Sequence, residues 1–166
     1  MTRKKYRVSV LGDGGWGTAL AVVSARVGND TLLWSAFPEY AKVIAQKREN
    51  IKFLPGVKLA EEIQITSDLT EAVSFGEILV LAIPTQFLRN VLHKVKQAPY
   101  QDKVIVCVSK GIEKKTYLRP SEIIRSVLGE STRIVVLSGP SHAEEVARGL
   151  PALVVVASKD EKDSVS

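Results

Sequence analysis

A glycine-rich run near the N-terminus has the residue types and spacing of a dinucleotide-binding loop. Residues 12–17, GDGGWG, follow the apolar stretch 8–11 and precede an alanine-rich pattern of helical period. Between a strand and a helix, Gly12 permits a tight turn, Gly14 lets the backbone approach a pyrophosphate, and Gly17 lets helix and strand pack closely. The N–H groups and the positive dipole end of the helix then face the phosphates. The run therefore predicts a site for a dinucleotide.

The end of the second predicted strand should select between NAD and NADP. An Asp or Glu about 20 residues past the glycine loop favours NAD, and an Arg favours NADP. Residues 33–37, LWSAF, contain none of these. Ser35 can bond a ribose hydroxyl, but it can equally be a polar strand-end residue that caps the following turn. The sequence leaves the choice between NAD and NADP open.

Apolar runs rich in Val and Ile alternate with segments of helical period along the chain. Strands are predicted at residues 6–11, 31–34, 63–66, 78–83, 103–108, 133–137 and 152–156. Helices are predicted at residues 17–27, 40–47, 69–74, 86–95, 120–127 and 141–148. Strands that are apolar throughout need cover on both faces. The pattern predicts an α/β fold, a Rossmann-like doubly wound and mostly parallel sheet of about seven strands with helices on both faces.

Local signals mark several element ends. Asp68 is a predicted N-cap with Glu71 three residues on, and Pro120 or Ser121 opens the fifth helix. The longer connection at residues 49–62 contains a Pro-Gly pair, which marks a turn.

Composition narrows the function classes. The 166 residues carry 23 Lys and Arg against 18 Asp and Glu, a net charge of +5, and 45% are hydrophobic. That balance is typical of a packed domain, and the scattered basic residues predict a solvated surface without nucleic-acid binding. The longest uncharged apolar run, residues 150–157, is too short for a membrane span, and no secretory signal precedes the first strand. A cytoplasmic location is expected. The single cysteine, Cys107, is predicted to be a buried strand thiol, and no metal site is predicted.

Five segments together resemble the bacterial-type NAD(P)-dependent glycerol-3-phosphate dehydrogenases, in their N-terminal cofactor-binding domain. In order they are GDGGWGTALA at residues 12–21, NIKFLPG at 50–56, AIPTQFLR at 82–89, VSKGIE at 108–113 and LSGPSHAEEVA at 137–147. The resemblance implies reversible hydride transfer between NAD(P)H and C2 of dihydroxyacetone phosphate. The product is sn-glycerol 3-phosphate, which serves glycerophospholipid synthesis.

The resemblance also implies roles for individual residues. Near the dinucleotide it places the glycine loop together with Gly15, Trp16, Phe53, Pro84, Phe87 and, on the nicotinamide side, Ala143. Lys110 would lie between cofactor and substrate, and Gly139 and Ser141 would contact the substrate. A lysine there can polarise the ketone and stabilise the developing alkoxide. The alternative is an ordinary solvated lysine after a strand.

The family's acid–base lysine, the asparagine after it and the arginine that binds the substrate phosphate come from a downstream helical domain, and nothing in this sequence matches them. The basic residue usual after the tryptophan of the second strand is Ala36 instead. We therefore expect residues 1–157 to form the cofactor domain and residues 158–166 to begin a connection to that second domain. The chain alone is expected to be inactive, and the whole enzyme is compatible with a homodimer. Two alternatives remain open: a non-catalytic NAD(H)-binding module, and the first domain of a β-hydroxyacid-type dehydrogenase.

Overall fold

The computed structural model describes residues 4–159. Its strands are β1 (Arg7–Leu11), β2 (Asp30–Trp34), β3 (Glu49–Asn50), β4 (Leu54–Lys58), β5 (Gln64–Thr66), β6 (Ile78–Leu81), β7 (Val104–Cys107), β8 (Arg133–Ser138) and β9 (Val155–Ser158). Its helices are α1 (Gly15–Arg26), α2 (Pro38–Lys47), α3 (Leu69–Phe75), α4 (Thr85–Val95), α5 (Pro120–Leu128) and α6 (Ala143–Ala147). The last seven residues of the predicted connection, 160–166, lie outside the described part of the chain.

Seven strands form one sheet in the order β5-β2-β1-β6-β7-β8-β9. All neighbouring pairs are parallel except β8 and β9, which are antiparallel. From β1 the chain builds outward through β2 and β5, then crosses back to β6 and builds in the other direction. The order therefore reverses between β1 and β6, and ligands of such sheets bind in the crevice outside the carboxyl ends of the strands at that point. The predicted doubly wound, mostly parallel fold is confirmed.

Strand residues alternate between two apolar cores, one on each face of the sheet. Leu79, Leu81 and Ile105 pack with residues of α3, α4 and α5. Val10 and Val80 pack on the opposite face with residues of α1, α2 and α6. Because successive side chains of a strand point to opposite faces, the continuous Val, Ile and Leu runs fill both cores. Cys107 is 1% exposed in the first of these cores, as its strand position predicted.

The cap predictions are confirmed in detail. The Asp68 carboxylate accepts hydrogen bonds from the N–H groups of Thr70 at 2.8 Å and Glu71 at 3.1 Å. Pro120 opens α5, and the carboxylate of Glu122, in its first turn, accepts the Arg119 N–H at 2.8 Å. Each pairing satisfies N–H groups that a helix start would otherwise leave without a partner.

Several element boundaries differ from the prediction by one to three residues, and one connection contains a strand pair that was not predicted. Helix α1 starts at Gly15 rather than at residue 17, because the first turn includes two glycines whose low helix propensity hides it from a sequence pattern. The connection at residues 49–62 contains an antiparallel pair, β3 with β4, where only a turn was predicted. The final strand begins at Val155 rather than at residue 152, because its first partner, Ser138, is the last residue of β8.

No helix in residues 4–159 is both long and apolar enough to cross a membrane. Within the same residues, no three His, Cys, Asp or Glu side chains lie close enough together to hold a metal ion.

Candidate active site

The glycine loop forms a tight junction between β1, α1 and the end of β6. Gly12 has φ +125°, a conformation that favours glycine, and a Cβ there would lie 2.4 Å from the Ala82 carbonyl oxygen. A Cβ on Gly17 would lie 2.0 Å from the Gly12 carbonyl oxygen. These close contacts fix the first turn of α1 beside the carboxyl ends of β1 and β6.

The next two glycines face different surroundings. Around Gly14 no atom lies within 4 Å of the position of an added Cβ, so this side of the loop is open. A Cβ on Gly15 would lie 2.6 Å from the Phe53 carbonyl oxygen. Gly14 is the N-cap of α1, and its carbonyl accepts the Thr18 N–H at 2.9 Å. The N–H groups of the first helical turn therefore end beside an open surface, where an anion is stabilised by the helix dipole.

A large cleft of about 410 Å³ lies beside this open surface. Of the predicted cofactor residues, those that line it are Gly12, Gly14, Phe53, Pro84 and Phe87. The side chain of Phe87 is 63% exposed. A largely apolar, aromatic-walled cleft of this volume suits the buried surface of a nucleotide.

A small cleft of about 320 Å³ lies next to the large one at the carboxyl edge of the sheet. Both clefts share the wall formed by residues 82–84. The predicted residues that line the small cleft are Trp16, Pro84, Lys110, Ser141 and Ala143. The two clefts therefore adjoin along this wall, with the glycine loop beside the large cleft and Lys110 in the lining of the small one.

Lys110 is exposed at the end of β7 and reaches across to the neighbouring strand. Its Nζ donates a hydrogen bond of 3.2 Å to the Gly139 carbonyl, just beyond the end of β8. Gly139 itself passes close to the chain before β9, since a Cβ there would lie 2.4 Å from the Leu153 carbonyl oxygen. The cation is therefore held at the carboxyl ends of two adjacent strands, beside the small cleft.

Side chains from the start of α4 hold the loop that carries Lys110. Thr85 Oγ1 donates to the Lys110 carbonyl at 2.7 Å. Gln86 donates to the Ile112 carbonyl at 2.8 Å and accepts from the Lys114 N–H at 3.1 Å. The position of Lys110 therefore depends on α4 as well as on β7.

Ser35 does not face either cleft. It is fully buried, and its hydroxyl donates to the Asp13 carboxylate at 2.7 Å and accepts the Phe37 N–H at 3.1 Å. These contacts match the alternative interpretation, a polar strand-end residue that caps the following turn, and not a contact with a ribose hydroxyl.

Comparison with known proteins assigns a family to this arrangement. The family described as NAD-dependent glycerol-3-phosphate dehydrogenase N-terminus matches residues 7–164. The chain belongs to this family. It is therefore the N-terminal, cofactor-binding domain that the resemblance indicated, and the two alternatives left open by the sequence are less well supported.

Individual relatives agree with the family. A protein of Corynebacterium glutamicum (strain R), named glycerol-3-phosphate dehydrogenase NAD(P)+, is 48% identical over 155 residues, which are 93% of this chain and 47% of that protein. The glycerol-3-phosphate dehydrogenase structure from Coxiella burnetii matches with a TM-score of 0.89 at 30% identity, over 95% of this chain and 48% of that one. The structure from Saccharomyces cerevisiae matches with a TM-score of 0.83 at 28% identity, over 96% and 49%. The chain spans about half the length of the relatives it matches.

Several cleft residues of this dehydrogenase domain were not predicted. Asn90 and Lys94 line the large cleft together with Ala36 and Phe37 from the end of β2. The signal was present in the sequence, since Phe87, Asn90 and Lys94 recur at helical spacing on one face of α4. Asn50, which is fully buried behind the glycine loop, was also missed.

Proposed function

We propose that this chain forms the cofactor half of an oxidoreductase that interconverts dihydroxyacetone phosphate and sn-glycerol 3-phosphate with NAD(P)H. The observation that supports the proposal is that the two clefts adjoin along residues 82–84. This arrangement places the glycine loop, a candidate phosphate-binding site, next to the cleft that Lys110 lines, in a chain of the glycerol-3-phosphate dehydrogenase family. We assign residues 1–157 to this cofactor domain, together with Ser158, the last residue of β9.

The residues around the glycine loop fit a dinucleotide. Gly14 leaves open space where a Cβ would otherwise project, and the first turn of α1 presents its N–H groups there. The backbone of Gly12, Gly14, Gly15 and Gly17 would hold the pyrophosphate. The side chains or backbone of Trp16, Phe53, Pro84, Phe87 and Ala143 would line the remainder of the cofactor. The bound dinucleotide would supply or accept the hydride.

Lys110 is the group we assign to the reacting carbonyl. Its ammonium is placed by the bond to Gly139 and would donate to the ketone oxygen, which gains negative charge as hydride arrives at C2. A donor fixed before the reaction stabilises that charge without reorganising. We assign Ser141 to substrate contact because it lines the small cleft with Lys110, and Gly139 because its carbonyl accepts the Lys110 hydrogen bond.

The assignment is tested by titrating the 166-residue chain with NADH and with NADPH and following the reduced-nicotinamide fluorescence. Saturable binding of at least one is expected, and no binding of either at millimolar concentration would overturn the proposal. The same chain should oxidise NADH with dihydroxyacetone phosphate at a negligible rate, because it contains no counterpart of the family's proton donor. General acid catalysis alone contributes roughly 10² to 10⁴ in rate. Robust turnover would show that the division of roles is wrong.

Three further assignments belong to the same proposal: a cytoplasmic location, a homodimeric whole enzyme, and no binding to nucleic acid. Size-exclusion chromatography with light scattering tests the second. A nucleic-acid shift assay at physiological salt tests the third.

A further inference from the structure

Asn50 is a fully buried amide whose hydrogen-bonding capacity is used completely. Its Nδ2 donates to the Asp13 carbonyl and to Thr18 Oγ1, both at 2.7 Å. Its Oδ1 accepts from the Tyr40 hydroxyl at 2.6 Å and from the Phe53 N–H at 3.1 Å. An amide offers two donors and two acceptor positions, so none is left over. The Asp13 carbonyl can only accept and the Phe53 N–H can only donate, which fixes the orientation of the Asn50 amide.

The bond to Asp13 sets the direction of the peptide that links Asp13 to Gly14. The peptide bonds of the described residues are trans. In a trans peptide the C=O of one residue and the N–H of the next point in opposite directions. Because the Asp13 carbonyl points inward to Asn50, the Gly14 N–H points outward. Gly14 lines the large cleft, so this N–H is presented to it.

The bond to Phe53 ties the other wall of the cleft to the same side chain. Phe53 follows β3 and lines the large cleft, and its carbonyl lies against Gly15. The Tyr40 ring contacts the Phe53 ring edge-on, with centroids 5.9 Å apart. One buried amide therefore connects the glycine loop, α1, α2 and the aromatic wall.

We propose that Asn50 is a positioning residue for dinucleotide binding: it holds the Asp13–Gly14 peptide with its N–H toward the cleft and fixes Phe53 beside it. This inference rests on the proposed function, since it requires that the cleft binds NAD(P)H. Asn50 does not contact the cofactor. It acts through Gly14 and Phe53, by forming their arrangement before the cofactor arrives, which lowers the cost of binding.

Two substitutions and a matched control test the inference. Asn50→Asp keeps the shape and the acceptor for Phe53 but sets a carboxylate oxygen against the Asp13 carbonyl. Asn50→Ala removes both sets of bonds. Tyr100→Phe is the control, because it removes a buried hydrogen bond of 2.8 Å to the Leu128 carbonyl, away from both clefts. Each variant is titrated with NADH well below its own unfolding temperature.

Both Asn50 variants should raise the Kd for NADH by about 10- to 100-fold, the size of one lost hydrogen bond to a charged group. Tyr100→Phe should lower thermal stability and leave the Kd within about twofold of wild type. If the Asn50 variants, once folded, bind NADH as the control does, the inference is wrong.

A second measurement uses ¹H–¹⁵N spectra and needs no variant at Asn50. In the wild-type chain, NADH should shift the Gly14 amide resonance strongly and leave the Asn50 side-chain resonances nearly in place, because the arrangement is formed in advance. A Gly14 amide that does not respond to bound NADH, or Asn50 resonances that move as far as it does, would overturn the inference. If neither NADH nor NADPH binds to wild type, the proposed function fails first and the role of Asn50 falls with it.

Discussion

Arg89 and Glu113 form a bidentate ion pair. Arg89 Nε donates to one carboxylate oxygen at 2.9 Å and Nη2 donates to the other at 2.8 Å. Thr116 also donates to the Glu113 carboxylate. These donors favour the charged form, so the pKa of Glu113 is lowered from 4.5 to about 2. The pair fastens the loop after Lys110 to α4.

Glu113→Gln should therefore reduce stability in a pH-dependent way. A carboxyl group whose pKa is lower in the folded chain stabilises it fully above its ordinary value of 4.5. That contribution is lost as the pH falls from 4.5 toward 2. The difference in urea midpoint between wild type and variant should thus be largest near neutral pH and should narrow in acid.

The comparison of urea midpoints isolates the titration of Glu113 for one reason and is checked by one control variant. Glu122, whose pKa is also lowered to about 2, by Arg119, titrates in both proteins and cancels in the difference. Glu130→Gln is the control, because its carboxylate is 82% exposed and lies 3.8 Å from Arg125, and exposed pairs contribute little. A gap between wild type and Glu113→Gln that stayed constant down to the acid limit would contradict the assigned pairing.

Gly17→Ala should destabilise the chain. The added Cβ would meet the Gly12 carbonyl oxygen at 2.0 Å and the Ala82 Cβ at 3.0 Å, and neither neighbour is the end of a flexible side chain. Such overpacking costs typically about 1–3 kcal/mol. Urea unfolding followed by circular dichroism measures the loss, and unchanged stability would mean that the β1–α1 junction is looser than described.

Gly14→Val should have the opposite profile. Its side chain would project into open space at a backbone conformation with φ −65° and ψ 171° that valine adopts, so stability should stay close to wild type. The same side chain would occupy the space that we assign to the pyrophosphate. Binding of NADH should then weaken by more than about 100-fold, or roughly 2.7 kcal/mol. Tight NADH binding by a folded Gly14→Val chain would move the phosphate site elsewhere.

Lys110→Met should separate binding from chemistry. The dinucleotide is assigned mainly to the glycine loop, so the Kd for NADH should change by less than about threefold. In an active dehydrogenase that carries this domain, kcat should fall by roughly 10² to 10³, as when one oxyanion donor is removed. Lys42→Met, the same substitution at an exposed ion pair on α2, is the control for the loss of charge. A large loss of NADH affinity with unchanged kcat would instead place Lys110 in cofactor binding and not in catalysis.

Discrimination between NADH and NADPH should be modest. Residues 35–37 contain no acid to repel a 2′-phosphate and no arginine to attract one. The ratio of the two dissociation constants should stay below about 100. Lys94 lines the same cleft as Ala36 and Phe37, so Lys94→Gln should weaken NADPH more than NADH. Equal effects on both cofactors would place Lys94 away from the 2′ position.

The features that the sequence predicted well depend on local patterns. The strand, glycine loop and helix at residues 6–27 lie next to each other in the chain, and the apolar runs identify a sheet covered on both faces. The β3–β4 pair was missed because it is short and includes Pro55 and Gly56, which are typical of turns. Ser35 and Asn50 illustrate a different limit. Both contact Asp13, which lies 22 residues from Ser35 and 37 residues from Asn50, and no spacing rule connects such distant positions.

The burial of Cys107 gives this chain an internal reporter of its own opening. It is the single cysteine of the sequence and lies on β7, between β6 and β8. Burial also raises the pKa of its thiol, which lowers the fraction of reactive thiolate. A thiol reagent can therefore reach the sulfur when the helices that cover this face of the sheet move away from it. The rate at which the thiol is labelled therefore measures how often the chain opens at this position. If NADH binds only the closed chain, it should slow the labelling, and the slowing gives the free energy by which NADH stabilises the closed chain.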